Sequence, residues 1–497
     1  MNTRRKFLLS ASTLPIALAS IAAPVSAQPT QVKNPHWDGK YDVVIIGGGG
    51  GGMSAAAEAA KKGLSVLVVE KMPMTGGSSV LCGGSFTLSE TKAQKEKNIP
   101  DTNKKFFDDM VRVGGGVNDK ELIKAYIAKA PEQYKYITET LKIEPYTIVA
   151  GAGMSEPRAH MFKPSQVVQA MQKDAVEHGV KILLNTRAMR LIWSPEKERI
   201  IGVECERKGK KLLFEAEKGV ILTSGGFSRN KALLNKYNPL MAKADAEGGM
   251  GNTGDGLLMA LAYGADTLDT NYIKATHGYR PTDPSFKKTS HTYYSGGILV
   301  DKNGKRFVDE SLSYKLLGDE SLKLENGISY AVFDEKARQH LIKTLPKDGN
   351  YMAALDGGKD TTWCFQGKTI EEVTKKAGVN PENLVKTIEK YNADVEKDGK
   401  DSVFGRSSLT SGYGKLSPIN HGPYFIYPVK PRLIATYCGI KINPKAQVVD
   451  VFGEPIKGLY AAGEVTGGLH GAAYMSGTAF GKAMTFGRIA AQSVSKE

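Results

Sequence analysis

The stretch that decides the fold is residues 41–71, YDVVIIGGGGGGMSAAAEAAKKGLSVLVVEK. Its first part, Val43–Ile46, is a short apolar run rich in β-branched side chains, which is typical of a strand buried on both faces. The run leads directly into six consecutive glycines. Within them the spacing G-x-G-x-x-G is met by Gly47, Gly49 and Gly52. A strand that ends in such a turn predicts a phosphate-binding loop.

The residues after the glycines complete the pattern of a dinucleotide site. The alanine-rich segment Met53–Lys62 is predicted to be a helix, and the apolar run Leu64–Val69 a second strand that ends at Glu70. In such a unit the first glycine permits a tight turn, the second lets the backbone approach a pyrophosphate, and the third lets helix and strand pack closely. Glu70 lies 18 positions beyond Gly52, where an acid grips ribose hydroxyls. We therefore predict a dinucleotide site rather than a flexible loop.

The composition is that of an ordinary globular protein. Of 497 residues, 41% are hydrophobic and 24% are charged, which excludes a disordered chain, a collagen-like repeat and a coiled coil. This length predicts two or three domains. The four cysteines are too few for a disulfide framework, and the sequence has no CxxCH, CxxC or HExxH motif. No attached haem and no metal site is predicted.

The first 27 residues are predicted to be an export signal. Arg4 and Arg5 precede a weakly apolar stretch that ends in the small residues Val25-Ser26-Ala27. The paired arginines resemble a twin-arginine signal, so we expect a folded, cofactor-loaded protein in the periplasm with no transmembrane anchor after cleavage. Removal of the signal lowers the net charge from +15 to +12. Nucleic acid is a poor partner for an exported protein. The basic surface either docks an acidic redox protein or is simply solvated.

Further segments carry a family resemblance. They follow Glu70-Lys71 in the expected order, and the resemblance extends from about Tyr41 to Ala490. The chain resembles the fumarate reductase/succinate dehydrogenase flavoprotein family, and within it the soluble periplasmic flavocytochrome c type. The segments are Gly76-Gly77-Ser78-Ser79, Gly219–Phe227, Asn252-Thr253-Gly254-Asp255-Gly256, Gly458–Gly468 and His470-Gly471-Ala472.

The resemblance implies an α/β fold: a Rossmann-like FAD-binding domain with an inserted α+β capping domain. The FAD-binding domain would be discontinuous, built from residues 28–266 and 423–497, and the capping domain would span 267–422. Within the latter, Asn380 and Pro381 predict a helix start, followed by an apolar stripe that faces the core. The polar stretch Asp398–Gly414 is predicted to be a surface loop. FAD would be bound non-covalently by Gly47, Gly49, Gly52, Glu70, Lys71, Gly76, Gly77, Ser78, Ser79, Gly225, Thr253, Asp255, Gly463, Glu464 and Ser476.

The catalytic positions depart from the family pattern. In that family an arginine donates a proton to the substrate, and further arginines and histidines hold two carboxylates. Here Tyr314 stands in place of the proton-donating arginine, Tyr293 in place of an arginine of the proton pathway, and Tyr474 in place of a carboxylate-clamping arginine. Ala435 replaces a carboxylate-binding histidine, whereas His277 stands where the family has a substrate-binding histidine.

Several residues keep more than one interpretation. His277 either contacts the substrate or is a satisfied buried histidine, and Thr289 fits a substrate-contact threonine. Arg280, three residues past His277, is placed to hold a single carboxylate. Arg158 and His160 either supply positive charge or order their own loop.

These substitutions change the expected chemistry. A tyrosine hydroxyl does not replace the bidentate charge of a guanidinium, so a fumarate-like dicarboxylate is a poor substrate. We hypothesise that reduced FAD delivers hydride from N5 to an activated C=C bond of an enone or enoate. Tyr314 would then act as general acid, with Tyr293 and Tyr474 polarising or stacking on the substrate.

Other functions stay open at this point. The 3-ketosteroid dehydrogenases resemble this pattern in their active-site tyrosines, so a dehydrogenase working in the reverse direction is one alternative. A flavin electron carrier without a small-molecule substrate is another. About a dozen residues separate the signal from the first strand, too few for a haem domain. We therefore expect a separate periplasmic c-type cytochrome as electron donor, and a terminal reductase in anaerobic respiration.

Overall fold

The computed structural model describes residues 30–31, 35–151, 153–279, 289–344, 352–356, 361, 363–410 and 414–497. The predicted export signal and Arg280 lie outside these residues. None of the helices in the described ranges is long and apolar enough to cross a lipid bilayer.

The strands are numbered in chain order. They are β1 Thr30–Gln31, β2 Gly39–Ile46, β3 Val66–Val69, β4 Ser85–Thr87, β5 Thr147–Val149, β6 Ala159–Met161, β7 Lys181–Leu183, β8 Arg187–Ser194, β9 Arg199–Arg207, β10 Lys210–Leu222, β11 Asp245–Ala246, β12 Thr267–Leu268, β13 Thr276–Tyr279, β14 Ile298–Val300, β15 Ser329–Asp334, β16 Phe365–Gly367, β17 Tyr424–Leu433, β18 Gly439–Ile440, β19 Gln447–Val449 and β20 Pro455–Ala461.

The α-helices are numbered in the same way. They are α1 Gly50–Lys61, α2 Lys92–Glu96, α3 Asn103–Val113, α4 Lys120–Lys135, α5 Pro164–Glu177, α6 Lys231–Tyr237, α7 Asp255–Leu261, α8 Tyr314–Ser321, α9 Glu335–Thr344, α10 Ile370–Ala377, α11 Pro381–Asp398 and α12 Thr478–Val494.

The main sheet holds the predicted dinucleotide unit at its centre. Its strands run in the order β1-β8-β9-β10-β2-β3-β7, and β20 pairs with the end of β10. Strands β10, β2, β3 and β7 lie side by side in this order and are all parallel, and β20 is parallel to β10. The carboxyl ends of these strands therefore meet at one edge, where a doubly wound sheet binds its ligand.

Strand β2 confirms the sequence interpretation, since Val43–Ile46 is buried within it. Helix α1 differs: it begins at Gly50, three residues before the predicted start at Met53. The glycines form the first turn of the helix, and their lack of a side chain lets this turn pack directly against other backbone atoms. A Cβ on Gly52 would lie 2.0 Å from the Gly47 carbonyl oxygen. A Cβ on Gly487 of α12 would lie 2.2 Å from the Gly51 carbonyl oxygen, so α1 and α12 also meet through glycines.

Strands from the later part of the chain form most of a second sheet. Its order is β11-β17-β15-β14, with β13 and β16 also paired to β17. Separate hydrophobic clusters follow this sheet, drawn from residues between Tyr293 and Val429. Strand β17, Tyr424–Leu433, belongs to this second sheet although it follows Gly422, the predicted end of the capping domain. The exact domain limits stay a prediction.

The helix predicted from Asn380 is confirmed as α11. The Asn380 side chain accepts a hydrogen bond from the Asn383 amide and Pro381 is the first helical residue. Leu384, Ile388, Tyr391 and Val395 form its buried stripe.

The prediction of a surface loop over Asp398–Gly414 is only partly right, because the segment is anchored in the core. Arg406 is fully buried: its guanidinium donates to the carbonyls of Tyr293, at 2.5 Å, and Gly297, at 2.8 Å, and pairs with Glu310. Asp401 pairs with Arg306 at 2.5 Å. The buried side chains of Arg406 and Asp401 thus fix this part of the loop to the interior of the protein. A polar composition does not reveal such pairing, because the partners lie far away in the sequence.

Candidate active site

The glycine turn lies at the end of β2 and has a backbone suited to a phosphate. Gly47 has φ +107°, and a Cβ there would lie 2.5 Å from the Thr223 carbonyl oxygen, so only glycine fits. Gly49 differs, because the nearest atoms to a Cβ there are 3.9 Å away and its backbone is extended. The N-terminus of α1 has no side-chain cap from Gly49 and no acid in its first turn. This end of the helix suits an anion.

Glu70 and Ser79 complete the walls of this turn. The two carboxylate oxygens of Glu70 accept hydrogen bonds from the amides of Gly48, at 2.7 Å, and Met72, at 2.8 Å. The Ser79 hydroxyl accepts from the Gly50 amide at 3.0 Å. Glu70 is thereby held at the glycine turn, where the acid of a dinucleotide site lies.

Side chains from three of the segments that carry the family resemblance are hydrogen-bonded to one another. The Asn252 amide donates to the Ser78 hydroxyl at 3.0 Å and to the Glu464 carboxylate at 3.2 Å. Burial raises the pKa of Glu464, while hydrogen bonds from Thr436, Asn252 and Ser78 oppose that shift. Residues that are hundreds of positions apart in the chain thus form one wall, which fits a single extended ligand.

Lys71, Thr253 and Asp255 are engaged with one another. The Lys71 ammonium donates to the Thr253 hydroxyl at 2.5 Å and to Asp255 at 3.0 Å, and Arg187 also pairs with Asp255. Burial alone would raise the pKa of Asp255, but the hydrogen bond from Arg187 and the charges of Lys71 and Arg187 hold it below its usual value. These residues fix the rim of the site, and direct contact with a cofactor stays a prediction for them.

The remaining glycines predicted at the cofactor adopt left-handed backbone conformations. A Cβ on Gly225 would lie 2.5 Å from the Asn252 side-chain oxygen, so glycine is required next to the Asn252–Glu464 wall. The φ values are +116° for Gly76, +50° for Gly77, +75° for Gly225 and +84° for Gly463.

Beyond this wall lies a group of rings that we call the aromatic cluster: Tyr314, Tyr437, Tyr474, His291 and His470. Tyr437 and Tyr474 stack with ring centroids 4.4 Å apart and an interplanar angle of 13°. His470 meets both rings edge-on, at 5.5 and 5.3 Å. Tyr437 has φ +56°, an uncommon conformation for a bulky residue, and such conformations concentrate at functional sites.

Burial keeps the three tyrosines and His470 of the aromatic cluster neutral. Burial raises the pKa of Tyr437 and of Tyr474 and lowers the pKa of His470, which the charge of Lys482 lowers further. The Tyr474 hydroxyl accepts a hydrogen bond from the Gly477 amide at 2.6 Å. Burial also raises the pKa of Tyr314, against the opposing effect of its hydrogen bond with Ser476. The tyrosines therefore hold their protons at neutral pH.

His277 and Tyr293 are placed together, but behind the cluster. Both are fully buried, and His277 Nδ1 lies 3.2 Å from the Tyr293 hydroxyl while Nε2 lies 3.0 Å from the Ser329 hydroxyl. Burial lowers the pKa of His277 to about 3, so the imidazole is neutral. Tyr293 packs edge-on against His291 at 5.8 Å. These contacts are those of a satisfied buried pair that supports His291, and a substrate contact stays a prediction for both residues.

The other predicted substrate residues have varied surroundings. Thr289 forms an isolated β-bridge with Tyr279, and Ala435 is buried in the segment that follows β17. Arg158 is fully buried and pairs with Asp101 and Asp109, at 2.7 and 2.5 Å. The first interpretation of Arg158, that it supplies charge to the substrate, is therefore wrong: it orders its own loop. His160 accompanies it, with Nε2 2.8 Å from the Thr91 hydroxyl.

Sequence reasoning missed Tyr437, His470, His291 and Lys315. His470 stands within one of the segments that carry the resemblance and Tyr437 lies two positions past Ala435, but nothing in a linear sequence shows that their rings meet. Lys315 follows Tyr314 directly, and an isolated lysine at the start of a helix predicts only a solvated side chain.

Comparisons with known proteins agree with this geometry. A family model described as an FAD binding domain matches residues 42–479. A fumarate reductase (cytochrome) of Shewanella frigidimarina is 30% identical over 462 residues, which cover 92% of this chain and 77% of that protein. A urocanate reductase of Eggerthella lenta is 29% identical, with 90% and 73% covered. An acrylate reductase flavoprotein subunit of Shewanella woodyi is 28% identical, with 96% and 95% covered.

Solved structures show the same fold. The open conformation of a flavocytochrome c3 fumarate reductase matches with a TM-score of 0.79 and 28% identity, covering 93% of this chain and 79% of that one. A 3-ketosteroid-Δ4-(5α)-dehydrogenase from Rhodococcus jostii RHA1 matches with a TM-score of 0.75 and 23% identity, covering 95% and 100%. The second likeness concerns the fold alone.

The fold, the site and these similarities define an FAD-dependent oxidoreductase that acts on CH–CH bonds. The chain belongs to the fumarate reductase/succinate dehydrogenase flavoprotein family, since the FAD-binding match spans most of its length. The predictions of FAD and of a Rossmann-like α/β fold are confirmed.

The glycine turn allows a test of where FAD lies. We expect Gly49→Ala to fold normally but to bind FAD more weakly by roughly tenfold or more, because the added methyl group comes no closer than 3.9 Å to another part of the protein but occupies the place where the second glycine lets the backbone approach a pyrophosphate. Titration of the apoprotein with FAD, followed by flavin fluorescence, measures the change. Gly52→Ala is the contrast, since its Cβ would collide with the Gly47 carbonyl and should destabilise the fold itself. Unchanged FAD affinity in Gly49→Ala would contradict this placement.

Proposed function

We propose that this protein is a reductase of an activated C=C bond in an enoate or enone, and that a fumarate-like dicarboxylate is not its substrate. FAD supplies the hydride when it is bound and reduced. The residues of the chain bind the acceptor, exclude water and provide the proton.

The aromatic cluster is the observation that carries this proposal. Tyr314, Tyr437 and Tyr474 lie together next to Ser476, in the region where the family positions its substrate-binding arginines. Tyrosine hydroxyls donate hydrogen bonds to a carbonyl oxygen, and the rings offer flat apolar faces. Capture of two carboxylates instead favours guanidinium groups, which bind them bidentately. A substrate with one polar end and an unsaturated body fits this surface better.

Each tyrosine has a distinct part in the proposal. Tyr314 is the general acid, since its hydroxyl keeps its proton at neutral pH and is oriented by the hydrogen bond with Ser476. Tyr474 and Tyr437 form a stacked pair that lies against the body of the substrate, and Tyr474 is fixed by the Gly477 amide. The buried His277–Tyr293 pair supports His291, which lies 6.0 Å from the Tyr314 ring.

The cellular setting is also proposed. The paired arginines support export to the periplasm by the twin-arginine route, and a separate c-type cytochrome is the proposed electron donor, consistent with a terminal reductase in anaerobic respiration. The net charge of +12 that remains after removal of the signal supports docking to an acidic redox protein. Turnover driven by a reduced low-potential cytochrome tests the donor, and inactivity with every such cytochrome would contradict it.

The direct test of the function is anaerobic reoxidation of the dithionite-reduced holoenzyme by a panel of acceptors. The panel contains fumarate, methacrylate, urocanate, cinnamate, an enone steroid and a sulfoxide. We expect rapid reoxidation by at least one monocarboxylate enoate or enone and none by fumarate. Rapid reoxidation by fumarate would contradict the proposal, and reoxidation by no small molecule would favour an electron carrier. Reduction of oxidised flavin by a saturated ketone would favour a dehydrogenase.

A further inference from the structure

A buried lysine lies in the wall of the aromatic cluster. Lys315 is the second residue of α8, which packs so closely on the chain before β13 that a Cβ on Gly318 would lie 2.8 Å from the Ala275 carbonyl oxygen. The Lys315 side chain is directed inward, with 6% of the residue exposed. Its ammonium donates to the Thr276 hydroxyl at 2.7 Å and, more weakly, to the Lys274 carbonyl at 3.4 Å.

The ammonium of Lys315 is next to two tyrosines of the cluster. It lies 5.2 Å from the centroid of the Tyr437 ring and 5.8 Å from that of the Tyr314 ring. Tyr437 stacks on Tyr474 through its ring as well. Lys315 therefore brings a positive charge to the proposed general acid and to the stacked pair together.

Among the described residues Lys315 forms no ion pair, although the negative charge of Asp319 acts on it from a distance. Asp319, on the next turn of α8, forms its ion pair with Lys274, at 2.5 Å. A buried ammonium without a counter-ion is costly, and groups perturbed by burial in this way cluster at functional sites. An ammonium also has three donor hydrogens, and the Thr276 hydroxyl and the Lys274 carbonyl take two of them.

We propose that Lys315 binds one anionic oxygen group of the substrate, so that the natural acceptor is a monocarboxylate enoate rather than a neutral enone. This inference rests on the proposed function and makes its substrate class narrower. A single lysine suits one carboxylate as a point charge, whereas two carboxylates would need further cations. Lys315 would thus provide the charge that Tyr314, Tyr293 and Tyr474 do not carry.

The surroundings of Lys315 give this binding a pH dependence with a definite sign. Burial lowers the pKa of Lys315 to about 7, the charge of Asp319 acts to raise it, and the charge of Lys274 acts to lower it. Tyr314 and Tyr437, the other titratable groups that face it, have raised pKa values and stay neutral. Lys315 is therefore charged below about pH 7, where an anion should bind best, and loses its charge as the pH rises.

The test measures ligand binding to the oxidised holoenzyme through the change in flavin absorbance. The probes are 3-phenylpropanoate and propionate, saturated acids that are not reduced, with the corresponding amides as neutral controls. We expect the affinity for at least one acid to fall about tenfold per pH unit above its midpoint near neutral pH, with no pH dependence for the amides. Lys315→Met should weaken acid binding roughly 10- to 100-fold and abolish its pH dependence.

Two neighbouring substitutions separate a charge effect from a structural one. Lys274→Met leaves Asp319 free to attract the proton of Lys315, so the pH midpoint of acid binding should rise. Asp319→Asn leaves Lys274 as an unopposed like charge, so the midpoint should fall. Midpoints that do not move in these opposite directions would overturn the proposal, as would equal binding of acid and amide. Acid binding that survives Lys315→Met but is lost in Arg280→Met would also overturn it.

Failure of this inference is distinguishable from failure of the proposed function. Reduction of neutral enones with no Lys315-dependent binding of acids would overturn the role of Lys315 and leave C=C reduction in place. Lys315-dependent binding of acids without reoxidation of the flavin by any alkene would support the anion site and contradict the proposed reaction.

Discussion

Tyr314→Phe is expected to slow the reoxidation of reduced flavin by an alkene acceptor by about 10²- to 10⁴-fold, the usual contribution of a positioned general acid. The ring remains, so packing against His291 is kept, while the proton at the hydroxyl is lost. Reduction of the flavin by dithionite should be unchanged, because that step needs no proton from Tyr314. Stopped-flow measurement of the two half-reactions separates these effects.

Tyr294 provides a matched control for Tyr314. It is a neighbouring tyrosine whose hydroxyl donates to the Leu312 carbonyl at 2.6 Å and is also hydrogen-bonded to the Tyr314 backbone. Tyr294→Phe should therefore cost some stability and disturb the position of Tyr314, but it should slow reoxidation far less than Tyr314→Phe, because the acidic proton of Tyr314 is kept. A Tyr314→Phe enzyme with full turnover would show that another group donates the proton, and His291 would then be the next residue to test.

The fold was largely predictable because its main signals are local. The unit from Val43 to Glu70 shows its strand, turn and acid in consecutive residues, and the errors are confined to boundaries: α1 begins at Gly50 rather than Met53, and β3 at Val66 rather than Leu64. Helix α11 was equally clear, since Asn380 and Pro381 mark its start and the apolar stripe follows at helical spacing. Both predictions depend on side chains whose partners lie a few residues away.

The active site was less predictable because its contacts join distant segments. Family resemblance pointed to Ser78, Asn252 and Glu464 separately, but only the fold shows that they share hydrogen bonds. Lys315 shows the limit most clearly. Its importance comes from burial beside Tyr437, which lies 122 positions further along the chain. The sequence shows that a residue is charged but does not show whether its side chain is solvated or buried.

Arg158 is a second case in which enclosure changes the interpretation. From the sequence, Arg158 was expected either to supply positive charge to the site or to order its own loop. In the fold its guanidinium makes two hydrogen bonds to Asp101, at 3.0 and 2.7 Å, and one to Asp109, at 2.5 Å. Because all three charges are buried, the arginine offsets two carboxylates that would otherwise be unfavourable in the interior.

Arg158→Met is therefore expected to lower the free energy of unfolding by about 3–5 kcal/mol, the usual cost of breaking a buried ion pair. Arg112→Met is the matched control, because Arg112 pairs with the same Asp109 from a side chain that is 61% exposed. A surface pair of that kind contributes about 1 kcal/mol or less. Thermal and urea unfolding of the holoenzyme variants, with flavin release followed in parallel, provides the measurement.

The loss of stability in the Arg158→Met variant is expected to change with pH in a definite direction. In the wild type burial acts to raise the pKa of Asp109, but hydrogen bonds from Arg112, Arg158 and Ser155 lower it to about 2. That carboxylate stabilises the fold above its unfolded pKa of about 3.9, and the contribution is lost as the pH falls through 2. Without Arg158, one of the hydrogen bonds that oppose the effect of burial on Asp109 is lost and its protonated form is favoured, so the deficit in stability should shrink as the pH falls from 7 towards 5. Asp101→Asn added to Arg158→Met should recover part of the lost stability.

An Arg158→Met variant that keeps the wild-type stability but loses affinity for a carboxylate acceptor would contradict this structural role and would show that Arg158 binds the substrate.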